Sequence, residues 1–169
     1  MLNSQILIHC ILITAVVLFL TSCKKESVIQ NYSFEEYFSL SIEENDFFAQ
    51  IAVTPEELSQ GLMFRNNLDK NHGMLFAFDY PKRVSFWMKN VPIPLDIGYF
   101  DSNGRLIEIH SLYPYDENPV FSKSHNIQYA LEMNHGWYHR NEIKTGSYMN
   151  LEKALKYVLL RKNSLDFKD

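Results

Sequence analysis

The chain has 169 residues and a formal net charge of −4, from 16 basic and 20 acidic side chains that all lie beyond Cys23. Mild acidity without a basic block argues against nucleic acid or anionic lipid headgroups as partners, and the length suits one domain rather than two. The only cysteines are Cys10 and Cys23, so the part beyond Cys23 can hold no disulfide framework, thiolate zinc site or cysteine nucleophile.

An apolar run from Ile6 to Leu20 opens the chain. It has signal-peptide length and falls short of the ~20 residues of a membrane span. Leu20-Thr21-Ser22-Cys23 follows directly and looks like the lipobox of a bacterial lipoprotein, in which Cys23 is acylated and becomes the mature N-terminus. No Lys or Arg precedes the run, so a retained anchor helix is the alternative. Small Ser22, with Cys23 followed at once by Lys24-Lys25-Glu26, favours lipidation. Residues 1–22 are then a signal peptide and residues 23–46 a lipidated N-terminus and tether. Palmitate-type chains on Cys23 would hold the protein to the exported side of the cell envelope. Each buried CH₂ contributes about 0.8 kcal/mol, and two or three chains give stable anchoring.

Lys24 to Asp46 is polar but carries too many apolar residues for a wholly solvated tether, and an opening strand is expected around Tyr37 to Ile42. Phe48 to Val53 reads as a strand. Thr54-Pro55-Glu56-Glu57 then opens a short helix, with Thr54 as N-cap, Pro55 at the first helical position and Glu57 closing a capping box. That helix is expected to end by Phe64. Gly73 to Phe78 is an apolar strand, ended by a turn at Tyr80-Pro81. Val84, Phe86 and Met88 alternate with Ser85, Trp87 and Lys89, the period of a strand. Pro92 and Pro94 force an extended border segment. Asp96 to Phe100 and Arg105 to Leu112 flank Asp101-Ser102-Asn103-Gly104, a hairpin turn. Tyr113 to Asn126 reads as a loop, Gln128 to Met133 as a strand, His135 to Ile143 as a short helix and Ser147 to Leu151 as a last strand. Leu151, Ala154, Leu155, Val158 and Leu159 repeat at helical spacing and give a terminal amphipathic helix. The fold class is mainly β: a small sandwich or barrel with two short helices and a C-terminal amphipathic helix. The β domain is placed at 47–151 and the helix with its tail at 152–169.

Four blocks together resemble one family. They are Gly61-Leu62-Met63-Phe64-Arg65; Gly73-Met74-Leu75-Phe76; Ser85-Phe86-Trp87-Met88-Lys89-Asn90 running through Ile93-Pro94-Leu95-Asp96-Ile97 to Asp101; and Tyr129-Ala130-Leu131-Glu132 with Gly136-Trp137. The pattern is similar to the domain-of-unknown-function family 192, and covers roughly Phe47 to Leu151. The resemblance implies a compact, mostly β domain and no particular activity. The helix after Leu151 is an addition to the family pattern.

The polar residues inside these blocks are the candidate site. Arg65, Lys89, Asp96 and Glu132 lie among apolar neighbours, where an ionised group is costly to desolvate unless paired. One reading gathers them, with Asn90 and with Trp87 as a stacking wall, around a recess for a small molecule or a glycan. The other makes them internal ion pairs that fix strand register, since structural networks perturb charges as readily as sites do. Asp96 with Glu132 as the acid/base couple of a glycan hydrolase is the runner-up function. No catalytic residue, cofactor or metal is assigned. His135 and His139 fall four apart but lack the glutamate of a zinc-protease helix, and read as solvent-facing. The expectation is a lipid-anchored envelope protein that binds a ligand or partner.

Overall fold

The computed structural model describes residues 32–165. The expected signal peptide (residues 1–22), Cys23, the expected tether up to Asn31 and the last four residues therefore lie outside the described residues. Among the described residues eight strands form two sheets, not closed into a barrel, with three short helices. The strands are β1 (Phe38–Ile42), β2 (Asn45–Ala52), β3 (His72–Lys82), β4 (Ser85–Phe86), β5 (Leu95–Phe100), β6 (Leu106–Leu112), β7 (Val120–Phe121) and β8 (Ile127–Asn134). The helices are α1 (Pro55–Gln60), α2 (Trp137–Arg140) and α3 (Leu151–Asn163).

The main sheet runs β1-β2-β3-β8-β5-β6, and β4 pairs with β7 in a separate ribbon. Only β2 and β3 are parallel, which requires the crossover supplied by α1. The capping box is formed as expected: the Thr54 hydroxyl accepts from the Glu57 amide at 3.2 Å, while one Glu57 oxygen accepts from the Val53 and Thr54 amides. The Asp101–Gly104 turn joins β5 to β6, with the Asp101 carboxylate accepting from the Asn103 and Arg105 amides.

Both faces of the sheet are covered, so β5 is buried at every residue instead of alternating. One face carries Phe47, Ile51, Leu75, Leu131 and Met133 and packs under Trp137, Tyr138, Ala154 and Val158. The other carries Met74, Phe76, Leu95, Ile97 and Tyr99 and packs under Leu62, Val84, Met88 and Val91. Gly73 belongs to a close approach of β3 and β8, because a Cβ there would collide with the Met133 sulfur and the Glu132 carbonyl.

β1 is the opening strand expected around Tyr37 to Ile42, so the sheet begins at Phe38. Other local expectations are corrected. Pro81 does not turn the chain: β3 continues to Lys82, absorbing the disruption as a register shift between Ala77 and Lys82. The Val84–Lys89 alternation yields only the two residues of β4, whose partner β7 lies inside the presumed loop. Residues 147–149 are not a ladder strand. They form a strap touching both sheet edges, through the single bridges Ile42–Met149 and Arg105–Tyr148. α2 is one turn long, because Gly136 ahead of it is left-handed (φ 78°), and His135 therefore stands outside the helix.

α3 packs on β1 and β2, and its inward residues are Ala154, Val158 and Arg161. Leu155 and Leu159, expected on the apolar stripe, are exposed. Arg161 is buried instead, giving one N–H to Glu57, another to the Tyr32 carbonyl and a third to the Ile51 carbonyl. Glu57 thus binds α3 with one oxygen and caps α1 with the other.

Candidate functional site

Strand register decides which side chains meet, because residues directly opposite each other share a face and the next pair takes the other. Gln50, Met74, Glu132, Ile97 and His110 form one row across β2, β3, β8, β5 and β6. Ala49, Gly73, Met133, Asp96 and Ser111 form the adjacent row, on the opposite face. Glu132 faces the side covered by α1 and the β4 region. Asp96 faces the side covered by α2.

An open cavity of about 380 Å³ lies on the Glu132 side. Its floor is Phe76, Phe78 and Glu132 from the sheet. One wall is α1 with the turn after it, Leu58 to Met63, and the other is Val84 to Trp87 with Val91. The rings of Phe76 and Phe86 meet edge to face at 4.8 Å. Lys82 and Arg83, at the end of β3, complete the lining.

Glu132 is 4% exposed. Among the described residues its carboxyl has no hydrogen-bond or ion-pair partner. Burial pushes its pKa from 4.5 up to about 8, so the group is mostly neutral at neutral pH. The Tyr99 hydroxyl on the same face donates to the Val120 carbonyl at 3.0 Å, and burial, followed by the field of Glu132, raises its pKa. A carboxyl with no protein partner that opens onto a cavity is free to meet a ligand or handle a proton there.

Asp96 differs in every respect. Its oxygens accept from the Ser111 hydroxyl at 2.8 Å, from His135 Nδ1 at 2.9 Å and from the Gly136 amide at 2.6 Å. It pins the β8–α2 turn to β5 and leaves no oxygen idle. His135 is a half-exposed structural partner, and His139 is exposed.

The other residues singled out in the sequence are scattered. Arg65 pairs with Glu35 and donates to the Gln50 side chain at 3.3 Å, while the Gln50 amide donates to Glu35 at 3.1 Å. That closes a polar triangle at one end of the Glu132 row. The Arg65 bond, opposed by burial, lowers the Glu35 pKa. Lys89 is exposed with its ammonium 5.2 Å from the centre of the Trp87 ring. Asn90 is exposed, left-handed (φ 57°), and its carbonyl accepts from the Phe64 amide at 2.7 Å. Trp87 is half-exposed and lines the cavity.

Of the six, Trp87 and Glu132 alone line the cavity. Arg65, Lys89 and Asp96 do not join them, and Asp96 lies across the sheet. The expectation that four ionic groups share one recess is therefore corrected. Its physical cause is the two-residue period of a strand, which a row of residues in one dimension conceals. Lys82 and Arg83 line the cavity without standing out in the sequence, where their one signal is a basic pair beside Pro81 in an acidic chain.

A family model described as DUF192, Uncharacterized ACR, matches residues 38–151. The solved structures include a protein of unknown function from Novosphingobium aromaticivorans, 32% identical, covering 68% of this chain and 83% of that one with a TM-score of 0.61. They also include a protein described as a candidate transcription regulator from Sinorhizobium meliloti, 32% identical, covering 72% of this chain and 97% of that one with a TM-score of 0.64. No curated protein matches the chain.

Proposed function

We propose, on the premise that this chain belongs to the uncharacterized family DUF192, that it is a lipid-anchored envelope protein whose Glu132 cavity binds a small molecule. The observation that carries the binding half is the unpartnered Glu132 carboxyl at the floor of an aromatic cavity of about 380 Å³, within the size range of ligand sites. The anchoring half rests on the Leu20-Thr21-Ser22-Cys23 motif behind an apolar run. Among the described residues no helix is long and apolar enough to cross a membrane.

The glycan-hydrolase reading loses its support. A glycosidase couple must flank one bond, whereas Asp96 and Glu132 face opposite sides of a sheet and Asp96 is saturated with donors. A regulator role of the kind attached to the Sinorhizobium protein gains nothing from the charges either: Arg65, Arg161 and Lys162 are each held by an acid, and the net charge is −4.

The test is a thermal-shift survey of a chemically diverse small-molecule library, on wild type and on Ser59→Trp. Ser59 is an exposed cavity-lining residue of α1, so the indole would fill the opening without disturbing the core. Compounds that raise the melting temperature of wild type and not of Ser59→Trp support the cavity as the site. A library that shifts neither protein, or both alike, removes it.

A further inference from the structure

The geometry points to an elongated amphiphilic anion as the ligand: a carboxylate or phosphate held at Lys82 and Arg83, an apolar body along the phenylalanine floor, and a hydrogen-bond acceptor at the inner end against Glu132. This rests on the reading of the cavity as the ligand site.

Three observations converge on it. Lys82 and Arg83 line the cavity, and neither forms a salt bridge among the described residues. The Lys82 ammonium stands over the rings of Phe78 and Tyr80, 4.9 and 5.3 Å from their centres. Arg83 gives its Nε proton to the Ser122 carbonyl and lies over the Phe121 ring, and its other N–H groups form no hydrogen bond among the described residues. Two cations outside any salt bridge among the described residues, with the field of Asp79 reaching Lys82, make an anion clamp in a chain of net charge −4.

Between the clamp and Glu132 the lining is Phe76, Phe78 and Phe86, with Trp87 at the side. The aromatic stretch suits an apolar body, and Ser59, Gln60 and Ser85 border the same cavity with polar groups. On β8 the residue opposite Lys82 is Ile127, five positions from Glu132. At strand rise that is roughly 17 Å of backbone, less the reach of the side chains, which a chain of about ten atoms spans.

The inner end is set by the state of Glu132. Tyr99 on β5, Tyr138 of α2 on the opposite face of the sheet, His110 with Glu108 on β6, the Arg65–Glu35 pair beyond Gln50, and Lys82 and Arg83 at the rim are the charged and titratable groups around it. None forms an ion pair with it, and burial alone sets its titration. A neutral carboxyl has a proton to give, so a ketone, ester or amide oxygen of the ligand satisfies it without burying a charge.

The experiment titrates wild-type protein by calorimetry with 9-oxodecanoate, decanoate and 10-aminodecanoate, which share the anion and chain and differ at the inner end. At pH 6.5 the oxo acid should bind about tenfold more tightly than decanoate, the scale of one buried hydrogen bond. That advantage should vanish at pH 9.5, where an ionised carboxyl cannot donate. Glu132→Gln, whose amide always donates, should keep it at both pH values. Lys82→Ala with Arg83→Ala should weaken all three probes about tenfold or more. Preference for 10-aminodecanoate, lost in Glu132→Gln, would overturn the proposal by making Glu132 a counter-ion. Failure of all three probes while library compounds still bind in a Ser59→Trp-sensitive way would overturn the ligand class and leave the cavity standing. Failure of the library as well would remove the cavity reading itself.

Discussion

Asp96 and Glu132 stand one rung apart on neighbouring strands and point to opposite faces of the same sheet: Asp96 is paired with Met133, and Glu132 with Ile97. The two carboxyls have opposite fates. Asp96 collects three donors and builds the fold, whereas Glu132 collects none and faces a cavity. The difference yields mutational predictions of opposite sign.

Asp96→Ala strands the Gly136 amide, the Ser111 hydroxyl and the His135 ring at the β5–α2 junction. Each buried donor left unsatisfied costs about 1–3 kcal/mol, less where water reaches it as at His135 and the exposed Ser111. Urea unfolding should show a loss of about 2–4 kcal/mol, with Asp96→Asn losing less. A loss under 1 kcal/mol would mean that the carboxylate does not hold the junction.

Glu132→Gln should stabilise the protein, and increasingly so as pH rises. The sign follows from the raised pKa. Below 4.5 the carboxyl is neutral in folded and unfolded chains and imposes no penalty. Between 4.5 and about 8 the unfolded chain releases its proton and the folded one keeps it, so folding stability falls as pH rises. Above about 8 the penalty is complete, on the order of 4 kcal/mol. The melting-temperature gap between Glu132→Gln and wild type should therefore be small at pH 4.5 and largest near pH 9. A gap independent of pH would show that Glu132 is ordinarily solvated.

Arg161→Ala breaks the pair with Glu57 and the bond to the Tyr32 carbonyl, loosening α3 from α1. Removing one partner of a buried pair costs about 3–5 kcal/mol, and Glu57 retains only its capping oxygen. Deleting the residues after Asn150 should cost at least as much in the same unfolding measurement. Because α1 is a cavity wall, both changes should also weaken cavity ligands. Unchanged stability would mean that α3 serves something other than this domain.

Much of the fold was readable because its local signals are short-range. The Thr54 capping box, the Asp101–Gly104 hairpin and the helical spacing of α3 are each written in a few adjacent residues. The inward face of α3 was misread in part, since hydrophobic spacing favoured Leu155 and Leu159. Arg161 took the buried place because Glu57, far away in sequence, supplied its partner. The site was half legible. Trp87 and Glu132 stood out as unusual residues in strand-forming company, but which face each side chain takes depends on pairing across strands, which no single segment reveals. Lys82 and Arg83 were hidden by Pro81, whose turn-forming habit was overridden when β3 ran on past it.

Cys23→Ala should abolish incorporation of labelled palmitate into cells expressing the full chain, while wild type incorporates it. Equal labelling of both would remove the lipid anchor and leave the cavity unaffected.

The state of the Glu132 carboxyl is what everything at the cavity depends on, and carbon-13 NMR titration of its side chain in the ligand-free protein reads it directly. A midpoint near 8 is expected. A midpoint in the ordinary range near 4.5 would show a solvated, ionised acid and would contradict the neutral hydrogen-bond donor at the cavity floor.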